Sequence, residues 1–142
     1  LNDDQREDVV ICEFGFRHGS LSWFENEGGQ RYKKHLLREL PGATCSEIFD
    51  FNKDGLPDIV ALMAQGDEGV FVYYNDGGGK FTETRGLRFP PVYGSNYFQL
   101  VDFNHDGWMD ILTTHGDNAD YSIVAKAYHG IRIFLNNGKN VF

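Results

Sequence analysis

The sequence predicts an all-β fold built from repeated four-stranded sheets, and three observations predict it. The 142-residue chain holds three copies of an acidic loop, each followed by a short apolar run. A second motif, an aromatic and β-branched segment that ends in asparagine and glycine, recurs after each loop. Seventeen glycines and twelve phenylalanines suit many turns between aromatic-rich strands. Four short antiparallel strands, repeated about every fifty residues, are typical of β-propeller blades.

The best-preserved acidic loop spans 50–58 and reads DFNKDGLPD. Alternate side chains of a tight loop point inward, so oxygens at positions one, three, five and nine can converge on a hard cation such as calcium. Glycine at position six permits the turn. The predicted ligands are Asp50, Asn52, Asp54, Asp58 and the backbone carbonyl of Leu56. An EF-hand would need glutamate where this chain has Ala61, so that reading fails, and an Asx-rich turn without metal is the remaining alternative.

The same loop recurs fifty-two residues later, over 102–110, as DFNHDGWMD. Its predicted ligands are Asp102, Asn104, Asp106, Asp110 and the carbonyl of Trp108. A degenerate copy of the loop lies at the start of the chain and places Asn2, Asp4 and Asp8 at positions three, five and nine. It has Gln5 in place of glycine and lacks the first aspartate, so it predicts only a partial third site. Three copies in register favour metal binding over unrelated surface turns.

The second motif follows each acidic loop, over 19–29, 69–79 and 130–138, and precedes the fourth strand of its repeat. Such a run, ending in asparagine and glycine, predicts a strand that enters a turn. In the central repeat the predicted strands are 45–49, 58–63, 70–74 and 80–85. The segment 32–40 has a helix-like pattern, but it also fits the fourth strand of the first blade. We place the blades at about 1–40, 41–89 and 90–142, in a single propeller segment.

Three blades are too few to close a propeller, which needs four to eight. The first predicted blade lacks its first strand, and the third reaches Phe142 within its fourth strand. An open blade edge exposes unpaired backbone groups. We therefore expect either that the chain is cut from a longer one or that other chains complete the ring.

These motifs resemble FG-GAP and VCBS-type repeats, through the D-x-N-x-D-G-x-x-D loop, the following D-[IV]-[VL] strand and the N-[DN]-G-x-G-x-F turn. The resemblance covers nearly the whole chain. It implies a β-propeller like the integrin α-subunit head and several secreted bacterial and fungal lectins and enzymes. It also implies Ca²⁺ in the two complete loops, with a third site in part. The segment 116–122 is similar to uncharacterised bacterial VCBS-repeat proteins, and that similarity implies no activity.

Composition excludes several classes of protein. The net charge of −8 opposes nucleic-acid binding, which needs a basic face, and two divalent cations would reduce it to −4. No apolar run is long enough to span a membrane. Cys12 and Cys45 are too few for a disulfide scaffold, so we expect two buried thiols, with a bridge as the alternative. Weak calcium sites suit an extracellular, cell-surface or periplasmic location.

Candidate partner-binding residues fall in segments at the blade end opposite the acidic loops. These are the crossover 88–97 and the long loop 115–130. Tyrosine rings that stack, beside fixed polar groups, suit recognition of a glycan or a protein. Packing of the tyrosines between blades is the alternative. The candidates are Tyr93, Asn96, Tyr97, Asn118, Asp120 and Tyr121.

The sequence provides no catalytic candidate, because it contains no G-x-S-x-G, H-E-x-x-H or phosphate-binding glycine motif. His115 and His129 flank the long loop and could pair on a transition metal, although a structural role is the simpler interpretation. We favour a recognition or assembly module of a secreted or surface protein. The alternatives are part of a secreted enzyme acting on polysaccharide, of lyase or dehydratase type, and a purely structural element.

Overall fold

The computed structural model describes residues 1–116 and 126–142. Across these ranges the chain forms ten strands in three antiparallel sheets, which confirms the predicted all-β fold. The only helical element in the described ranges is a single 3₁₀ turn, Pro91–Tyr93. None of the described residues belongs to a helix that could cross a membrane.

Each sheet is a simple meander of consecutive strands, as a propeller blade requires. The first sheet contains β1 (Val9–Glu13), β2 (Ser20–Gly28) and β3 (Arg31–Arg38). The central sheet contains β4 (Ala43–Phe49), β5 (Asp58–Met63), β6 (Gly69–Gly77) and β7 (Lys80–Arg88). The third sheet contains β8 (Ser95–Val101), β9 (Asp110–His115) and β10 (Gly130–Phe134). The helix-like segment 32–40 therefore supplies β3, as its strand alternative predicted.

The strands after the acidic loops, β1, β5 and β9, occupy equivalent positions in the three sheets. In each repeat the residue after the final aspartate pairs with an aromatic residue of the next strand. These pairs are Val9 with Phe24, Ile59 with Tyr73, and Ile111 with Phe134. The common register lets any residue of one blade be compared directly with its counterpart in another.

The central blade is covered on both faces, and its middle strands carry the core. All six residues of β5 are buried. Successive side chains of a strand point to opposite faces, so Ile59 and Ala61 pack towards the first sheet while Val60 and Leu62 pack towards the third. A continuous apolar run, rather than an alternating one, is the sequence pattern that two covered faces demand.

The two cysteines pack against different blade junctions, Cys12 against the core between the first and central sheets and Cys45 against the core between the central and third sheets. Cys12, on β1, and Cys45, on β4, are half-buried free thiols. Burial raises the pKa of both thiols, which disfavours the reactive thiolate. The expectation of two free thiols therefore agrees with the structure.

Candidate metal and partner-binding sites

The central acidic loop gathers its first three polar side chains over its own backbone. Asp50 accepts the N–H groups of Asp54 and Gly55, both at 3.0 Å. The Asn52 side chain accepts the same Asp54 N–H at 3.0 Å and donates to the Asp54 carboxylate at 2.7 Å. Asp50, Asn52 and Asp54 therefore meet at one exposed point, as the alternation of the loop predicts.

The second complete loop repeats this pattern bond for bond. Asp102 accepts the N–H groups of Asp106 and Gly107 at 3.1 and 2.9 Å. Asn104 accepts the Asp106 N–H at 3.1 Å and donates to the Asp106 carboxylate at 2.9 Å. Asp106 also accepts the Trp108 N–H at 2.9 Å, and this bond is the largest contribution that lowers the pKa of its carboxyl.

All three loops share one backbone conformation, with positive φ at positions four and six. The angles are 63° and 91° at Lys53 and Gly55, 60° and 88° at His105 and Gly107, and 64° and 65° at Asp3 and Gln5. Gln5 thus adopts the left-handed conformation that glycine adopts in the other copies, although a side chain is disfavoured there. At positions four and six the first loop therefore has the backbone conformation of the complete loops despite its altered sequence.

The first loop differs in what its acidic side chain binds. Arg6 stands at position seven, and its guanidinium donates to the Asp4 carboxylate at 2.6 and 3.0 Å. Hydrogen bonds from the Arg6 backbone and side chain lower the pKa of the Asp4 carboxyl. Asn2 donates to Glu25 at 3.0 Å, whereas its counterparts donate to the position-five aspartate. A side-chain cation therefore already neutralises Asp4.

The aspartate at position nine has a different environment from the other predicted ligands. Asp58 is fully buried, and its carboxylate accepts N–H groups from Phe51, Asn52 and Asn75. Burial raises the pKa of the Asp58 carboxyl, and these three hydrogen bonds partly offset the rise. Asp110 is equally buried and accepts from Phe103 and Asn136. The position-nine aspartate thus connects its loop to the next strand of the sheet or the turn after it, through Asn75 in β6 and Asn136 after β10.

An asparagine completes this connection in every blade, although its sequence motif predicts only a turn. Its backbone N–H donates to the position-nine aspartate, and its side-chain amide donates to the backbone carbonyl of the residue just before that aspartate. Its side-chain oxygen accepts the N–H of the glycine two residues further along the chain. The central example is Asn75, which bonds Asp58 at 2.8 Å, the Pro57 carbonyl at 3.0 Å and the Gly77 N–H at 2.9 Å. Asn26 and Asn136 make the same three kinds of bond. We call each such unit an Asp–Asn clasp: Asp8–Asn26, Asp58–Asn75 and Asp110–Asn136.

A lysine links the two complete loops. Lys53 donates to the Gly107 carbonyl at 2.6 Å, and its ammonium lies 3.8 Å from the centre of the Trp108 ring. A cation over an aromatic face is attracted by the ring quadrupole. Lys53 occupies a non-ligand position of its loop, so the loop motif predicts no role for it. The contact couples the acidic loop of the central blade to that of the third.

The donor set of the two complete loops fits a hard divalent cation. Carboxylate and amide oxygens at positions one, three and five meet at the surface. The backbone carbonyl predicted as a ligand, at position seven, belongs to the second residue after position five. The position-nine carboxylate is held by main-chain N–H groups, but each of its oxygens has two lone pairs. Within residues 1–116 and 126–142, no three His, Cys, Asp or Glu side chains converge on a common point. The convergence of each loop therefore rests on its asparagine together with its aspartates.

The predicted partner-binding residues fall into three different settings. Tyr93 is half-buried and stacks on Tyr128, with ring centres 5.5 Å apart and Arg132 4.6 Å from its ring centre. Asn96 and Tyr97 lie on β8 rather than in a crossover loop, and Tyr97 is 49% exposed. Asn96 accepts a hydrogen bond from Thr114. Asn118, Asp120 and Tyr121 lie outside the described residues.

A buried polar chain lies beside Tyr93. Ser95 donates to the Glu68 carboxylate and contacts His115 Nδ1 at 2.8 Å, and His115 Nε2 contacts the Thr113 hydroxyl at 2.8 Å. Burial, with a smaller effect of Arg132, lowers the pKa of His115 to about 4. Ser95 is 2% exposed, so this group offers no accessible nucleophile. Because hydroxyls engage both nitrogens of His115, the arrangement does not favour a metal shared with His129.

Comparison with known families agrees with these repeats. The sequence model of the FG-GAP-like repeat family matches residues 1–61 and 50–113, which include all three acidic loops. The chain belongs to the FG-GAP-like repeat family. Its three sheets are accordingly FG-GAP-type propeller blades. Searches of curated proteins and of solved structures found no match.

Proposed function

We propose that this FG-GAP-like chain is a calcium-stabilised propeller segment. The observation that carries the proposal is the bond-for-bond repetition of one loop at 50–58 and 102–110, with oxygen donors meeting at the same point. In the central loop Asp50, Asn52, Asp54, Asp58 and the Leu56 carbonyl would hold Ca²⁺. In the loop at 102–110 the Ca²⁺ ligands would be Asp102, Asn104, Asp106, Asp110 and the Trp108 carbonyl.

Calcium would supply positive charge at a point where the loop concentrates negative charge. The net charge of −8 includes three carboxylates in each complete loop. A bound cation would offset the repulsion between the carboxylates at positions one and five of the loop. The Asp–Asn clasp beneath each loop ties that region to two strands of the blade, so neutralising the loop would stabilise the blade as a whole.

Calorimetric titration of the chelator-treated chain tests the calcium proposal. We expect heat from two sites per chain, with dissociation constants of about 10⁻⁴–10⁻³ M if the sites resemble extracellular modules. Asp54→Ala and Asp106→Ala should each remove one site. Asp76→Ala is a matched control, because Asp76 is an exposed carboxylate near the end of β6 and outside both loops. Absence of calcium heat in the unmodified chain would sink the proposal.

For biological role, we propose a recognition or assembly module of a secreted, surface or periplasmic protein, with a glycan or protein as its partner. FG-GAP repeats are typical of extracellular and surface proteins, which supports the location. Support for recognition comes from exposed rings away from the acidic loops, including Tyr97 on β8 and Phe16 in the β1–β2 loop. The buried Glu68–Ser95–His115 chain gives the enzyme alternative no accessible group.

A glycan array and partner capture, run with matched variants, test the recognition role. Tyr97→Ala and Phe16→Ala should reduce binding of any captured ligand without changing the melting temperature, because both rings are substantially exposed. Asp54→Ala, at a temperature where it stays folded, should leave that binding intact. Loss of ligand with Asp54→Ala and retention with both aromatic variants would place the binding face at the acidic loops instead.

A further inference from the structure

The fourth position of the acidic loop lies outside the predicted donor set, yet its side chain in the central loop contacts the loop of the next blade. Lys53 donates to the Gly107 carbonyl at 2.6 Å, and its ammonium lies 3.8 Å from the centre of the Trp108 ring. Gly107 and Trp108 occupy positions six and seven of the loop at 102–110. An ammonium carried by one blade therefore lies against the proposed calcium loop of the next.

The peptide group that Lys53 contacts also contacts a predicted calcium ligand. Its carbonyl, from Gly107, accepts the Lys53 hydrogen bond, and its N–H, from Trp108, donates to the Asp106 carboxylate at 2.9 Å. Hydrogen bonds from Trp108 and Asn104 are the larger causes that lower the pKa of the Asp106 carboxyl, and the charge of Lys53 adds to them. The positive charge of Lys53 therefore acts on this carboxylate.

The equivalent position of the first loop carries the opposite charge. Asp3 occupies position four there, and its φ of 64° matches the 63° of Lys53. A cavity between the first and central loops is lined by Asp3 on one side and by Gly55 and Leu56 on the other. Gly55 and Leu56 stand at positions six and seven of the central loop, the same two positions that Lys53 contacts one blade later.

The other charged groups around this cavity are paired. Arg6 donates to the Asp4 carboxylate, and the Leu1 amino group donates to Asp8. Asp3 therefore supplies the remaining charge beside the central loop. The central loop has a negative neighbour, whereas the loop of the third blade has a positive one.

We propose that the side chain at position four of an acidic loop sets the calcium affinity of the loop in the next blade. Lys53 lowers the affinity of the site at 102–110, because an ammonium beside a site repels a divalent cation. Asp3 raises the affinity of the site at 50–58 by attraction. The two complete loops have the same donor residue types but fill in order, the central loop first. This inference rests on the calcium proposal and adds an order that the donors alone do not predict.

Calorimetric titration of the full chain with calcium measures the two dissociation constants. Asp106→Ala leaves the loop that carries Lys53 unaltered, so it yields the constant of the central site by itself. We expect the site at 102–110 to be weaker by about fivefold or more, the effect of a unit charge several ångströms from a divalent cation in water. Equal constants, or a weaker central site, would contradict the proposed order.

Three substitutions of Lys53 separate its charge from its contacts. Lys53→Arg keeps the charge and should leave the constant at 102–110 within about twofold, whereas Lys53→Gln should strengthen that site about fivefold and Lys53→Glu by more. The central site should change less. Lys80→Gln, at an exposed lysine at the start of β7, alters the net charge equally and is the matched control. If Lys53 instead held the Gly107–Trp108 peptide in place for binding, Lys53→Gln would weaken the site, and the proposal would be wrong.

The first loop supplies an independent test at the central site. Asp3→Lys should weaken that site about fivefold or more, and Asp3→Asn should weaken it less. Raising the salt from about 0.1 M to about 1 M should reduce these differences, because the Debye length falls from about 10 Å to about 3 Å, whereas a packing effect would persist. Unchanged calcium constants in Lys53→Gln and Asp3→Lys overturn this inference alone. Absence of calcium heat in the unmodified chain overturns the calcium proposal as well.

Discussion

At the scale of single residues, the position-nine aspartate and the exposed predicted ligands of the same loop have different environments. Asp58 is buried and accepts three main-chain N–H groups, whereas Asp54 is exposed and bonds mainly within its own loop. A buried N–H that loses its acceptor costs about 1–3 kcal/mol. When an exposed carboxylate such as Asp54 is removed, its former hydrogen-bond partners can bond to water instead, so the cost is small.

The first prediction distinguishes these two positions by substitution. Asp58→Ala should lower the free energy of unfolding by about 3 kcal/mol or more in chelator, because its N–H partners are left buried. The loss should be larger in calcium, because Asp58 is also a proposed ligand. Asp54→Ala should lower the free energy of unfolding in calcium and have little effect in chelator. Urea unfolding under both conditions measures the difference. A loss for Asp58→Ala that disappears in chelator would contradict the structural role of this residue.

The second prediction concerns Gln5, which takes a glycine conformation with a φ of 65°. Gln5→Gly should raise the free energy of unfolding by about 0.5–1 kcal/mol, because relief of left-handed strain exceeds the added entropy of the unfolded chain. Gln99→Gly is the control, since Gln99 lies in β8 and glycine weakens a strand. Chemical unfolding of both variants gives the comparison, and destabilisation by Gln5→Gly would refute the argument.

At the scale of elements, the junction between the central and third blades combines an apolar core with a buried polar chain. Val60 and Val70 pack in one core with Phe98 and Ile111. At the same junction, His115 contacts Ser95, which donates a hydrogen bond to Glu68 in the β5–β6 loop. A buried imidazole is stable only when neutral, so this junction is sensitive to acid. The acidic loops add a second link through Lys53 and Trp108.

The third prediction is the pH dependence of that junction. The folded state lowers the pKa of His115 from 6.5 to about 4, so the unfolded chain binds a proton first as the pH falls. Stability from this group is complete above about pH 6.5 and declines between pH 6.5 and 4, by about 3 kcal/mol in all. His115→Gln should flatten this part of the profile, whereas His105→Gln, at an exposed loop position, should not. Equal slopes in all three proteins, measured by urea unfolding, would rule out His115 as the source.

At the scale of the whole molecule, the proposed calcium sites would make stability depend on cations. A ligand that binds only the folded state at a hundredfold excess over its dissociation constant contributes about 2.7 kcal/mol per site. Two sites would contribute about 5 kcal/mol, a large share of the 5–15 kcal/mol typical of a domain. The first loop stands apart, because Arg6 already neutralises Asp4.

The fourth prediction follows from that difference between loops. Calcium should raise the melting temperature in scanning calorimetry, and the rise should fall by about half in Asp54→Ala and vanish in the Asp54→Ala, Asp106→Ala double variant. Asp4→Ala should leave the calcium-induced rise unchanged, because its carboxylate pairs with Arg6. A reduced calcium effect in Asp4→Ala would instead identify a third metal site.

Local pattern determined the all-β class, the strand positions and the candidate donor set, because turn chemistry and side-chain alternation act over a few neighbouring residues. Partners distant in the sequence were decided only by the tertiary structure. Asn75 meets Asp58 seventeen residues away, and Lys53 reaches Gly107 fifty-four residues away. The setting of Tyr93, half-buried between blades, likewise depends on which rings the fold brings beside it. Burial and long-range hydrogen bonds are properties of packed surfaces, so no short stretch of this chain could specify them.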